Sequence, residues 1–128
     1  MKTFISLFAL FLSLTLTAQN PATWYLNNTN GNGIQSPSNT AIGIVSVAMG
    51  IGTTASGTHS SAMGRETTAS GTVSTAMGWQ TIASGNYSTA MGANTEASGF
   101  GSTAMGEFTT ASGSRSTAMG EELSLIHI

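Results

Sequence analysis

Residues Ser74 to Gly92 read STAMGWQTIASGNYSTAMG, so the stretch opens and closes on the same five letters. Working outward from it, Met49, Met63, Met77, Met91, Met105 and Met119 stand fourteen residues apart, each preceded by Ala and followed by Gly. Midway between them, Gly57, Gly71, Gly85, Gly99 and Gly113 each follow Ala-Ser, and Ser60, Ser74, Ser88, Ser102 and Ser116 open the next copy. The unit is A-M-G-x-x-T-x-A-S-G-x-x-S-[ST]. A worn copy, TAIGIVSVAMG, carries Gly43 in the midway place. Self-similarity at a fixed period marks a repeat architecture, in which each unit buries its surface against the next.

A period of fourteen is also two heptads, yet a helix fails. Each unit holds two fixed glycines, each costing about 1 kcal/mol in a helix interior. One methionine per unit does not make an a/d stripe. Two short strands with glycine corners fit better, since glycine tolerates the positive φ of a tight corner. The first strand is expected at Ser74–Met77 and the second at Gln80–Ser84. Side chains alternate between faces along a strand. In the second strand Thr81 and Ala83 recur in every copy and share a face, whereas Gln80 and Ile82 vary and share the other. One face is therefore expected inside and the other wet. In the first strand both pairs recur, Ser74 with Ala76 and Thr75 with Met77 (Ser61 replaces Thr in one copy). A strand constrained on both faces is expected to be packed on both, with one face lining a thin coil and the other, carrying the methionines, against another chain.

Coils stacked about 4.8 Å apart through backbone hydrogen bonds leave almost no interior, which explains why Ala, Ser and Gly recur. A buried Met contributes about 1.5–3 kcal/mol, against about 1–2 kcal/mol of backbone entropy for each ordered residue. A lone coil therefore cannot fold, and stacking together with closed symmetric association is expected. A threefold ring is one such closure.

These residues resemble the head repeats of trimeric autotransporter adhesins, the YadA-like (Hep/Hag-type) family, whose pattern alternates S-x-A-[IVM]-G with A-x-A-S-G. Here it reads SVAMG at Ser46, SSAMG at Ser60, STAMG at Ser74, Ser88, Ser102 and Ser116, and TTASG at Thr53, Thr67 and Thr109. The resemblance implies an all-β fold, a left-handed parallel β-roll of 14-residue coils over residues 40–122, trimeric in its native assembly. It implies a homotrimer on the outside of a Gram-negative cell, attaching to host matrix, cells or other surfaces through a protein or glycan ligand. Met stands where the family more often has Ile or Val. The stalk and membrane barrel expected of such adhesins would lie downstream. Some fibre proteins carry the same repeats ahead of a chaperone-like processing domain, so a structural fibre segment is the second reading.

The ends of the chain are read separately. Lys2, the apolar run FISLFALFLSLTL and a small residue at Ala18 form a secretory signal peptide over residues 1–18. The run is shorter than the roughly 20 residues of a spanning helix, so no membrane span is expected in this stretch. Residues 19–39 are rich in Asn, Gly, Ser and Pro and read as a loop-like lead-in, with Trp24, Tyr25 and Leu26 capping the first coil. Residues 123–128, LSLIHI, depart from the composition before them and match, codon for codon, the translation of a transposase adapter used in sequencing libraries. They are set aside as an artefact of a truncated chain, and His127 with them.

The charge that remains excludes several functions. Residues 19–122 hold Arg65 and Arg115 against Glu66, Glu96, Glu107, Glu121 and Glu122, a net of −3 with no basic patch for nucleic acid. There is no Cys and no Asp, so disulfides and Asp-rich calcium repeats are out. His59 falls in a variable corner pair and the glutamates fall at different points of the repeat. No catalytic residue, cofactor or metal is therefore expected, and the chain is read as no enzyme. The remaining candidates are the methionine row, as packing residues of the trimer, and four aromatics at corners, Trp79, Tyr87, Phe100 and Phe108. An exposed aromatic can anchor a partner; packing over the edges of the roll is the favoured alternative. The outer rank Thr54, Thr68, Ile82, Glu96, Thr110 is too uneven for an ice-binding face.

Overall fold

The computed structural model of the protein describes residues 25–27, 33–35 and 38–125. The expected signal peptide, Trp24 and residues 126–128 lie outside the described residues. From Thr40 onward the chain winds as a parallel β-solenoid with two walls. One wall is built from five-residue strands, Val47–Ile51, Ser61–Arg65, Thr75–Trp79, Thr89–Ala93, Thr103–Glu107 and Thr117–Glu121. The other is built from two-residue strands, Thr40–Ala41, Thr54–Ala55, Thr68–Ala69, Ile82–Ala83, Glu96–Ala97, Thr110–Ala111 and Ser124–Leu125. Every parallel pair between coils joins identical positions of the repeat. Met91 lies opposite both Met77 and Met105, and Ala83 opposite both Ala69 and Ala97.

The interior is as small as the sequence requires. In the coil from Trp79 to Gly92, the buried residues are Thr81, Ala83, Gly85, Ser88 and Ala90. Twelve alanines, two from most coils, form the hydrophobic core, each at most 1% exposed. The largest fully buried side chains are threonines. The inward pair Thr81 and Ala83 and the inward pair Ser74 and Ala76 are those the alternation indicates. The inner serines and threonines bury hydroxyls in an apolar column. Ser46, Ser102 and Ser116 donate to the carbonyls of Gly43, Gly99 and Gly113 at 2.7–2.8 Å. The Oγ1 atoms of Thr53, Thr67, Thr81, Thr95 and Thr109 have no partner.

The two fixed glycines share one constraint and differ in a second. Gly50, Gly64, Gly78, Gly92, Gly106 and Gly120 have φ between +119° and +135°, where L side chains are strained. Gly57, Gly71, Gly85 and Gly99 have no such φ; a Cβ there would stand 2.0–2.1 Å from a glycine carbonyl oxygen of the next coil. At Gly50, Gly64, Gly78, Gly92 and Gly106 a Cβ would likewise stand 1.8–2.1 Å from the next coil's glycine oxygen, so both sets are glycine because two backbones pass too close for a side chain, and the first set by its φ as well. The residues that turn the corners in the left-handed region are mostly not glycine. They are Val45, His59, Val73, Tyr87 and Arg115 at one corner, and Glu66, Gln80, Asn94, Phe108 and Glu122 at the other. From His59 onward each points its N–H back to the coil before. Tyr87 N–H bonds the Thr72 carbonyl at 2.8 Å, and Asn94 N–H bonds the Trp79 carbonyl at 2.9 Å. The ladder of backbone bonds therefore continues around the corners, and these bonds offset the roughly 1–2 kcal/mol a left-handed L residue costs.

Strand limits shift accordingly. The first strand runs Thr75–Trp79 instead of Ser74–Met77, because Gly78 pairs with Gly64 and Gly92 and does not interrupt the ladder. The second is only Ile82–Ala83. The lead-in read as loop-like contains a hairpin. Tyr25–Asn27 pairs antiparallel with Gly33–Gln35, which in turn pairs parallel with Val47–Ile51. The strand lying on the first coil's edge is therefore Gly33–Gln35. Asn39, fourteen residues before Thr53, closes the same end, its Nδ2 donating to Gly50 O at 2.9 Å and its Oδ1 accepting from Thr53 N at 3.1 Å. At the other end Ser124–Leu125 pairs with Thr110–Ala111, although residues 123–128 were set aside. An open strand edge offers backbone groups that any sequence can meet.

Candidate interaction surface

The outer face of the long-strand wall carries the repeated polar-apolar pair Thr-Met. Alternation puts Ala76 inside and Thr75 and Met77 outside, and parallel register stacks Met on Met in every coil, with Val47 and Ser61 standing for the Thr in the first two long strands. The methionines thus lie outside the coil, in a single row, and not in its core. Met49 is 39% exposed and Met119 58%, with the four between them partly covered by their neighbours. Gly78 and its equivalents run beside the row and keep it unobstructed. The first coil adds exposed apolar side chains of its own, Ile42, Ile44, Val45 and Ile51. The sequence reading gave no weight to the first three, though TAIGIV, with four apolar residues in six, was their signal.

The outer face of the short-strand wall is different in kind. Thr54, Thr68, Ile82, Glu96 and Thr110 succeed one another there, with no constant chemistry.

The four corner aromatics divide between the two edges of the long-strand wall. Tyr87 and Phe100 lie at the edge where long strands begin. They belong to successive coils and meet edge to face, ring centres 5.4 Å apart at 67°. Both remain about half exposed, at 56% and 49%. Trp79 and Phe108 lie at the opposite edge, two coils apart with Ala93 and Asn94 between them, and are exposed. The structure brings together the first pair and leaves the second apart. Polar corner residues also tie coils to each other. Gln80 Nε2 donates to Glu66 Oε2 at 2.9 Å and Asn86 Oδ1 accepts from Thr72 N at 3.0 Å, while Arg65 meets its own neighbour Glu66 within one coil at 3.3 Å. His59 is exposed at a left-handed corner. Among the described residues, no group of three or more His, Cys, Asp or Glu could hold a metal ion, and no helix is long and apolar enough to cross a membrane.

In-register coils of fourteen residues with this glycine placement are matched by a known family. The family model described as YadA head domain repeat (2 copies) matches residues 41–67, 69–95 and 97–120, more than half of the chain. The chain belongs to the YadA head repeat family. Each matched segment begins 28 residues after the last, two coils of the solenoid. The family is a structural repeat of adhesins, so this YadA head is an adhesin-like module. No curated protein matches the chain.

Proposed function

We propose that this YadA head is the surface-displayed part of an adhesin, exported behind the signal peptide of residues 1–18, assembled as a homotrimer and held outside a Gram-negative cell. One observation carries the reading: Met recurs in all six long strands on a face that the coil itself leaves outside. The short-strand wall varies freely on its outer face, so folding a coil does not require outward invariance. A face whose chemistry repeats every fourteen residues is matched along its whole length only by a partner with the same repeat, and a second copy has it. Assembly would bury the methionine row and leave both corner ranks on the rim. Variable residues there, including the exposed Trp79, Tyr87, Phe100 and Phe108, are the contacts offered to a protein or glycan on another surface.

Sedimentation equilibrium of the purified chain tests assembly, and a trimer is the expected species. Immobilised matrix proteins and glycans then test attachment. A trimer that binds none of a broad panel removes the adhesive reading and leaves a spacer role within a fibre.

A further inference from the structure

The methionine row holds a chemistry that packing does not use. Any apolar side chain of similar size would supply the same burial, and the chain places isoleucine at other outward positions such as Ile42, Ile51 and Ile82. Yet all six long strands carry a thioether at this register position. Thioethers are oxidised to sulfoxides by peroxides, which turns a flexible apolar side chain into a polar one and disrupts methionine-rich interfaces. In a lone subunit the row is open to such reagents, most of all at Met119 and then at Met49. The residues that flank it, Thr75, Ala76 and Gly78 in one coil, are inert to them.

We propose that Met49, Met63, Met77, Met91, Met105 and Met119 form a modification site at which peroxide oxidation of unassembled subunits blocks their association. The inference rests on the reading of this face as the interface between copies. In each event a lone pair on Sδ attacks one peroxide oxygen. The S–O bond forms and the O–O bond breaks. The departing hydroxide takes the proton left on the transferred oxygen and leaves as water. Sulfur loses two electrons and the peroxide gains them. The new S=O group is a strong acceptor on a face that association would dry, and burying it without a donor is unfavourable. Because the row is in register, one sulfoxide lies between thioethers of its own chain on either side. A single oxidised coil therefore opposes closure along its neighbours as well.

The test treats the purified, dissociated chain with hydrogen peroxide. It follows oxygen uptake at each methionine by peptide mass, fold by far-UV circular dichroism, and association by sedimentation. The expected result is oxidation first at Met119, a retained β spectrum, and no oligomer at concentrations where the untreated chain is fully assembled. Removal of the added oxygen by the two epimer-specific sulfoxide reductases should restore the oligomer, and preassembled protein should oxidise more slowly. A variant with all six methionines changed to isoleucine should assemble in peroxide as it does without. If that variant does not fold, a graded oxidation series of the natural chain decides, because loss of assembly must then track sulfoxide content in the row. Oxidised chains that assemble like untreated ones overturn the proposal while leaving the interface intact. A chain that never associates, oxidised or not, removes the interface reading and this inference with it.

Discussion

The two walls of the solenoid share an interior and differ outside. Inward, both present alanine with a hydroxyl residue, Ser88 and Ala90 on the long wall, Thr81 and Ala83 on the short. Outward, the long wall keeps Met at one register position in all six strands, while the short wall runs through Thr, Ile and Glu at its outward position. The coil therefore needs its inner residues to be small, and it needs its outer residues to be nothing in particular. Repetition on an outer face is a constraint added from outside the coil. This comparison separates what folds the subunit from what the proposed association would use.

The largest effect should come from the shared interior. Gly85→Ala places a methyl 2.1 Å from the Gly99 carbonyl oxygen, with backbone and no flexible side chain to yield. It should destabilise by about 4 kcal/mol or more, read as loss of the cooperative β transition in circular dichroism. If it were tolerated, the close-approach account of that glycine would fail. Next come changes to the long wall's outer face. The double variant Met77→Ser and Met91→Ser should lose the oligomer in sedimentation while its lone-subunit spectrum stays that of the parent. A subunit that unfolds instead would make the row a part of the fold and erase the distinction between walls.

Smaller effects sharpen the corners and the control face. Val73 turns its corner at φ +55°, with a β-branched side chain that is itself exposed. Asn94 does the same task at the other corner at φ +53°. Val73→Asn should raise stability by about 1 kcal/mol, measured as a higher thermal midpoint, and an unchanged midpoint would mean the bond of Val73 N to Thr58 O already relieves the strain. The smallest effect belongs to Ile82→Ser on the short wall. It should change stability by no more than about 0.5 kcal/mol and leave association unaltered. A loss of oligomer there would move the interface to the wrong wall.

Much of this was legible in the residues. The period, the two strands per coil, the inward Thr81 and Ala83 and the outward Met77 all follow from copies of the unit laid over one another. The failures have a common cause. Gly78 and Gly85 look alike in sequence, and both are held by the chain passing across them, but only Gly78 is also held by its own positive φ. Strand limits slipped because a glycine was read as a break where cross-coil pairing carries on through it. Asn39 looked like loop composition, yet its side-chain amide bonds Gly50 and Thr53 at the end of the stack. For the candidate surface, the methionine row was visible as a rank. The contact of Tyr87 with Phe100 was not, since it depends on how far one coil is offset from the next.

By itself the sequence determined the repeat length, the small-residue interior and the outward methionines, because these rest on side-chain size and alternation within one unit. Tertiary structure alone decided that both fixed glycines make room for the next coil, which non-glycine residues enter the left-handed region, and which aromatics touch. Those are relations between residues fourteen apart or more, and only stacking one coil on another gives them a distance.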